Sequence, residues 1–241
     1  MSHTGAAGEV EDTNGRHPRL VFAGPGEAAE LAAFLGRLLR WEKTAAVRLR
    51  AAGDGVLGVF ARPARFEVLA VRTARLTEPL SLDVTVSAGE LLENVDEASE
   101  SVSVPAAVTG PPWAGLLPPR GGWRPVGELP YETVRATATA VVTEFRRRSE
   151  ALPARERTRE ALDALAEEIW SRTLSGIGLP LRAVHAAQAL GMLRPTGPED
   201  GDRPAPPVAV LASGSWLRLR TPYGSTAVRR GGGTGLSVTP V

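Results

Sequence analysis

The chain has 241 residues, 43% of them apolar and 23% charged, which suits one large domain or two small ones and excludes wholesale disorder. Its 28 basic and 27 acidic residues leave a net charge of +1, which argues against polyanion binding driven by bulk charge. The absence of cysteine removes disulfides, Cys-ligated zinc, iron–sulfur clusters and thiol catalysis together.

Met1 to His17 is polar, contains glycine and has no periodicity, so residues 1–17 are expected to form a disordered tail. A short apolar run, Arg19-Leu20-Val21-Phe22, then meets the turn Gly24-Pro25-Gly26. Leu31, Phe34, Leu35, Leu38 and Leu39 follow at helical spacing and predict a helix over 27–40. Glu27 and Glu30 at its start and Arg37 and Arg40 at its end suit the helix dipole. Gly24-Pro25-Gly26 lacks the third glycine of a dinucleotide fingerprint and has no further βαβ unit behind it, so it reads as a plain turn.

Strands come next. Ala45, Val47 and Leu49 alternate with Ala46, Arg48 and Arg50, and Gly53-Asp54-Gly55 supplies a hairpin turn into a returning strand over 56–61. A third strand is expected over 66–72. Leu80 to Ser87 alternates apolar and polar residues strictly, as a sheet with one wet face requires. A short acidic helix over 88–95 and an edge strand over 101–104 complete an α+β unit assigned to residues 18–109. Between Arg75 and Arg120 there is no basic residue, while Glu78, Asp83, Glu90, Glu93, Asp96, Glu97 and Glu100 make this stretch strongly acidic. It reads as a solvated acidic face, or as a patch for a basic partner or a neighbouring subunit.

Residues 110–130 are rich in proline and glycine and hold Trp113 and Trp123, and they read as a connector. Both tryptophans are expected to find a pocket, because their apolar area is costly to leave wet. A helical unit is expected over 131–193, with helices over 131–149, 156–174 and 181–193. An acidic, proline-rich linker over 194–207 leads to a β-hairpin over 208–230, and a glycine-rich flexible tail over 231–241 closes the chain. No internal repeat of solenoid length is apparent. The fold class is therefore α+β: an N-terminal helix packed on an antiparallel sheet, then a three-helix unit and a C-terminal β-hairpin.

Candidate chemistry is sparse. Lys43 is the one lysine, and no glycine-rich loop precedes it, so neither a P-loop nor a Schiff base is indicated. His3 and His17 lie in the expected tail, which leaves His185 as the one ordered histidine. No metal-ligand spacing and no G-x-S-x-G elbow accompanies it, so it reads as a structural histidine. The chain offers no cofactor fingerprint and no apolar run near the roughly 18 residues of a membrane span.

The reading is a soluble cytoplasmic protein without catalytic residues, cofactor or metal. It binds a protein partner, or associates with itself, and scaffolds an assembly. Its candidate binding residues are Trp113 and Trp123 as apolar groove wall, Arg120 and Arg124 as anion anchors, and Trp216, Arg218 and Arg220 on the hairpin. Two alternatives are an enzyme using His185 or paired carboxylates, and a nucleic-acid regulator using the hairpin arginines. The second lacks a recognition helix, because prolines and acids fill 195–207.

Overall fold

Val47, Leu49 and Ala51 are buried, while Arg48 and Arg50 between them point to the other side of the sheet. The same period of two recurs over Leu217–Arg220, where Leu217 and Leu219 are buried and Arg218 and Arg220 take the other face. A computed structural model describes residues 18–64, 66–174, 176–194 and 207–230. The expected tails over 1–17 and 231–241, and the linker apart from Arg194 and Pro207, lie outside the described residues.

The chain is α+β. Its strands are β1 (Arg19–Val21), β2 (Ala46–Ala52), β3 (Val56–Ala61), β4 (Leu69–Arg75), β5 (Ser81–Ser87), β6 (Val95–Asp96), β7 (Ser101–Ser103), β8 (Arg124–Leu129), β9 (Val208–Ser213), β10 (Trp216–Thr221) and β11 (Gly224–Arg229). Its helices are α1 (Glu27–Trp41), α2 (Ala88–Glu93), α3 (Tyr131–Ala151), α4 (Arg159–Ser171) and α5 (Leu181–Ala189), with a 3-10 turn over Pro112–Gly115. One antiparallel sheet takes eight strands in the order β5-β2-β3-β4-β11-β10-β9-β8. A small sheet, β1-β7-β6, lies apart, and in it the expected edge strand at 101–104 is the central one.

The C-terminal strands thus complete the N-terminal sheet. Ser225, Thr226 and Ala227 of β11 pair with Val71, Ala70 and Leu69 of β4. On either side of this join stands a helix followed by a three-strand meander: α1-β2-β3-β4 and α5-β9-β10-β11. The two meet antiparallel, so the arrangement reads alike from both ends. Leu31, Leu35 and Leu38 of α1, Ala183, Val184 and Ala187 of α5, and Ile169 of α4 share one core with Val47, Leu57, Val59, Val210, Leu217 and Leu219 of the sheet.

Several ends depart from the sequence reading. The connector contains strand β8, whose Pro125 and Gly127 flank a register irregularity against β9. Proline is compatible with β8 because this is an edge strand. Helix α5 stops four residues short of the expected end. Gly191 adopts φ +74°, and Met192 donates back to Ala187 O at 2.8 Å, a left-handed stop that a residue with a Cβ adopts at a cost. Helix α1 has no capping side chain of its own. The Glu100 carboxylate fills that role from the β6–β7 turn, accepting from the amides of Gly26 and Ala28.

Candidate partner-binding face

Helices cover one face of the large sheet, and the segment from Val104 to Trp123 crosses the other. This strap starts at the β5 edge, where Val108 donates to Thr85 O at 2.9 Å. The Arg48 guanidinium reaches up from β2 to the Ala114 carbonyl. Arg48 also makes a two-pronged pair with Asp83, at 2.7 and 2.9 Å. Near the far end Ser213 of β9 donates to Gly121 O, and the Trp123 indole donates to Pro119 O at 2.9 Å.

The strap brings together tryptophans that are far apart in sequence. Leu69, Trp216 and Ala227 form a second buried cluster on this face, and Trp113 and Trp123 pack against it. Trp216 is buried and the two strap tryptophans are half-buried, so each has found apolar contact while keeping an edge at the surface.

Arg218 stands beside this cluster. It shares its face of β10 with Trp216 and Arg220, since Leu217 and Leu219 between them enter the main core. Its guanidinium carbon lies 5.6 Å from the Trp123 ring centre, and its Nε donates to Ser225 Oγ at 2.8 Å. Burial, and secondarily the charge of Arg220, hold this guanidinium below the ordinary arginine value. Among the described residues no carboxylate comes within 4.0 Å of Arg218 or Arg220. A trough of about 460 Å³ opens over them, with Ser225 and Ala209 on its floor and Thr73 and Glu128 on its walls.

The other sequence-derived residues are placed differently. Arg120 pairs with Asp54 at the tip of the β2–β3 hairpin, at 3.7 Å, away from the trough. Arg124 lines a shallow hollow of about 430 Å³ with Val126 and Arg230. Thr73, Glu128 and Ser225 were not singled out in the sequence, because the trough draws on five strands and only the β4–β11 and β8–β9 pairings bring them together. Leu116 and Val126 escape notice in the same way, yet they are 49% and 47% exposed on the strap and on β8.

A larger cleft of about 620 Å³ lies between the Trp113 end of the strap and the end of α1, lined by Glu42, Arg62, Glu67 and Thr109. Its Glu67 is already engaged by Arg182 at 2.7 Å. His185 lies on the helix side, enclosed by Trp170, Phe66 and Trp41 at ring-centre distances of 4.1, 4.9 and 6.3 Å. Its partners are aromatic faces, and burial lowers its pKa to about 4. Among the described residues no group of three or more His, Asp or Glu side chains is placed to hold one metal ion. Within the same residues no helix is long and apolar enough to cross a membrane.

Residues 16–115 match the family described as Domain of unknown function (DUF8010), and residues 118–233 match Domain of unknown function (DUF8185). The two matched stretches meet within the strap. No curated protein matches the sequence. Among solved structures, the chain is similar to the crystal structure of DNA polymerase sliding clamp from Pseudomonas aeruginosa, with 11% identity and a TM-score of 0.43. That alignment covers 84% of this chain and 61% of the other, so the chain spans less than two thirds of that structure's length.

Proposed function

We propose that this is a soluble cytoplasmic protein without catalytic activity that docks an acidic protein partner on the strapped face of its sheet. The observation that carries the reading is the convergence of Trp113, Trp123 and Trp216 with Arg218 and Arg220 on one face. Interfaces favour tryptophan and arginine for this combination of rigid apolar area and directed charge. Exposed Leu116 and Val126 extend the apolar surface around it.

Charge selects the occupant. Arg218 and Arg220 with Glu128 line one hollow of the β8–β11 half of the sheet, and Arg124 and Arg230 line another at the opposite strand ends. In the acidic stretch Glu78 precedes β5, Glu90 and Glu93 lie in α2 and Glu97 follows β6, toward the β5 edge of the large sheet. A net charge of +1 therefore conceals a polar molecule. The same polarity favours a second reading, in which the acidic partner is another copy of the chain joined head to tail.

A photoreactive amino acid at position 116, compared with one at Arg146 on the outer surface of α3, tests the docking face in native cytoplasm. A discrete crosslinked protein from position 116 and none from position 146 is expected. The reverse pattern would contradict the reading. A crosslink of the chain to itself, with concentration-dependent mass by light scattering, would select the second reading.

A further inference from the structure

We propose that the trough over Arg218 and Arg220 is an oxyanion site that receives a carboxylate or phosphate group of the docked ligand. The inference rests on the docking reading above and specifies the chemistry at the centre of that face.

Of the eight other half-buried arginines among the described residues, seven meet a carboxylate within 4.0 Å and Arg37 does not. Arg72 faces Glu30 at 3.4 Å, Arg182 holds Glu67 and Glu167 at 2.7 and 2.6 Å, Arg194 holds Glu30 at 2.7 Å, and Arg48 holds Asp83 at 2.7 Å. Each places a carboxylate against a guanidinium that has lost part of its water, as such burial favours. Arg218 is half-buried too, yet its hydrogen-bond partner among the described residues is a neutral hydroxyl. Its two terminal nitrogens remain available to a planar or tetrahedral oxyanion.

Arg220 adds to the positive charge at the trough. It lies two residues further along the same face of the same strand, exposed at the rim of the trough, and places a second positive charge beside Arg218. Nothing about sheet packing requires this pair, because Leu217 and Leu219 supply the strand's core contacts. The face also leaves room above the two arginines. The floor at Ala209 and Ser225 is made of small side chains, which leaves a trough of about 460 Å³ above the arginines. Thr73 on its wall adds a hydroxyl. The Trp123 ring closes the other side of Arg218 and shields it from water, which strengthens any charge contact made there.

Glu128 sets the polarity of the site. It pairs in register with Ala209, which pairs with Arg220, so it stands two strands from that arginine. Its carboxylate opposes an anion that extends across β9 and directs the ligand toward the Trp123 side.

The test titrates the full chain with hexaglutamate and separately with inorganic phosphate, at low and physiological salt. Saturable binding of at least one probe is expected, weakening with salt. The Arg218→Gln, Arg220→Gln double variant should weaken it by about tenfold or more, as loss of two charge-assisted contacts implies. Glu128→Gln should strengthen it by roughly threefold by removing an opposing charge. Hexaglutamate binding assigns the site to acidic protein side chains, and binding of phosphate alone assigns it to phosphorylated ligands. Absence of binding by both probes at low salt, or binding unchanged in a double variant that melts like the parent, overturns the site. Crosslinks from position 116 without oxyanion binding overturn the site and leave the docking reading standing. Oxyanion binding that depends on Arg218 without those crosslinks supports the site and overturns the docking reading.

Discussion

Arg194 grips Glu30 with both terminal nitrogens, at 2.7 and 2.9 Å, across 164 positions of chain. The contact ties α1 to the end of the helical unit beside the β4–β11 join. Arg72 approaches the same carboxylate from β4, and Arg194 also stacks on Tyr223 of the β10–β11 turn at 3.9 Å. One carboxylate therefore holds together two guanidiniums, one of which, Arg72, is only 12% exposed.

Removing that carboxylate should leave both guanidiniums facing each other. Glu30→Gln is expected to destabilise the fold by about 2 kcal/mol in a urea titration, below the value for a fully buried pair because Glu30 keeps some water. Burial opposes ionisation of Glu30, but Arg194, Arg72 and Arg37 outweigh it and hold its carboxyl below the ordinary value. A lowered folded value means the stabilisation is complete above the ordinary carboxylate range and is lost as pH falls through the lowered one. The variant should accordingly show a shallower loss of stability in acid.

His185 makes stability acid-sensitive in a second, different pH window. Burial holds its pKa near 4, against 6.5 for a free imidazole. Between those values the unfolded chain binds the proton and the folded chain does not, so stability falls as pH drops from about 6.5 toward 4. The loss at pH 4 should be on the order of 3 kcal/mol. His185→Gln should flatten this part of the profile and leave partner capture intact. Loss of capture in a folded His185→Gln protein would revive a functional histidine.

Two glycines should respond to alanine with opposite signs. Gly191 has φ +74°, and an added Cβ would stand 2.6 Å from Arg37 Nε, so Gly191→Ala should cost about 1–2 kcal/mol. Gly36 lies inside α1 with open space where a Cβ would go, so Gly36→Ala should gain up to about 1 kcal/mol. Thermal melts of the two variants check both signs.

The clustered arginines should not make the protein a duplex reader. Each phosphate contact lowers log K by about 0.9 for every tenfold rise in salt, so a handful of exposed arginines gives binding that fades near physiological ionic strength. An anisotropy titration with duplex DNA at that salt should show no sequence-selective binding. Sub-micromolar selective binding lost on changing Arg218 and Arg220 to Ala would contradict this.

Local pattern made much of the fold legible. Strict alternation over Leu80–Ser87 and the leucine stripe of α1 lead directly to β5 and to the helix that packs on the core. Strand β4 runs Leu69–Arg75, displaced from the expected 66–72, because Glu67 takes a left-handed φ of 52° that an extended strand does not admit. Strand β8 was hidden by Pro125 and Gly127, which an edge position tolerates. The face itself was only partly legible. Its tryptophans and hairpin arginines stand out by type, but their convergence depends on β11 pairing with β4, and no local signal encodes that pairing.

The most direct test of the account is quantitative partner capture from native cytoplasm by three folded proteins: the parent, a Leu116→Ser, Trp123→Ala strap variant, and an Arg146→Glu variant on the helix side. The account predicts that the strap variant loses roughly tenfold or more of the partner, as removal of an interfacial tryptophan implies, while the helix-side variant matches the parent. Full capture by the strap variant together with loss in the helix-side variant would contradict it.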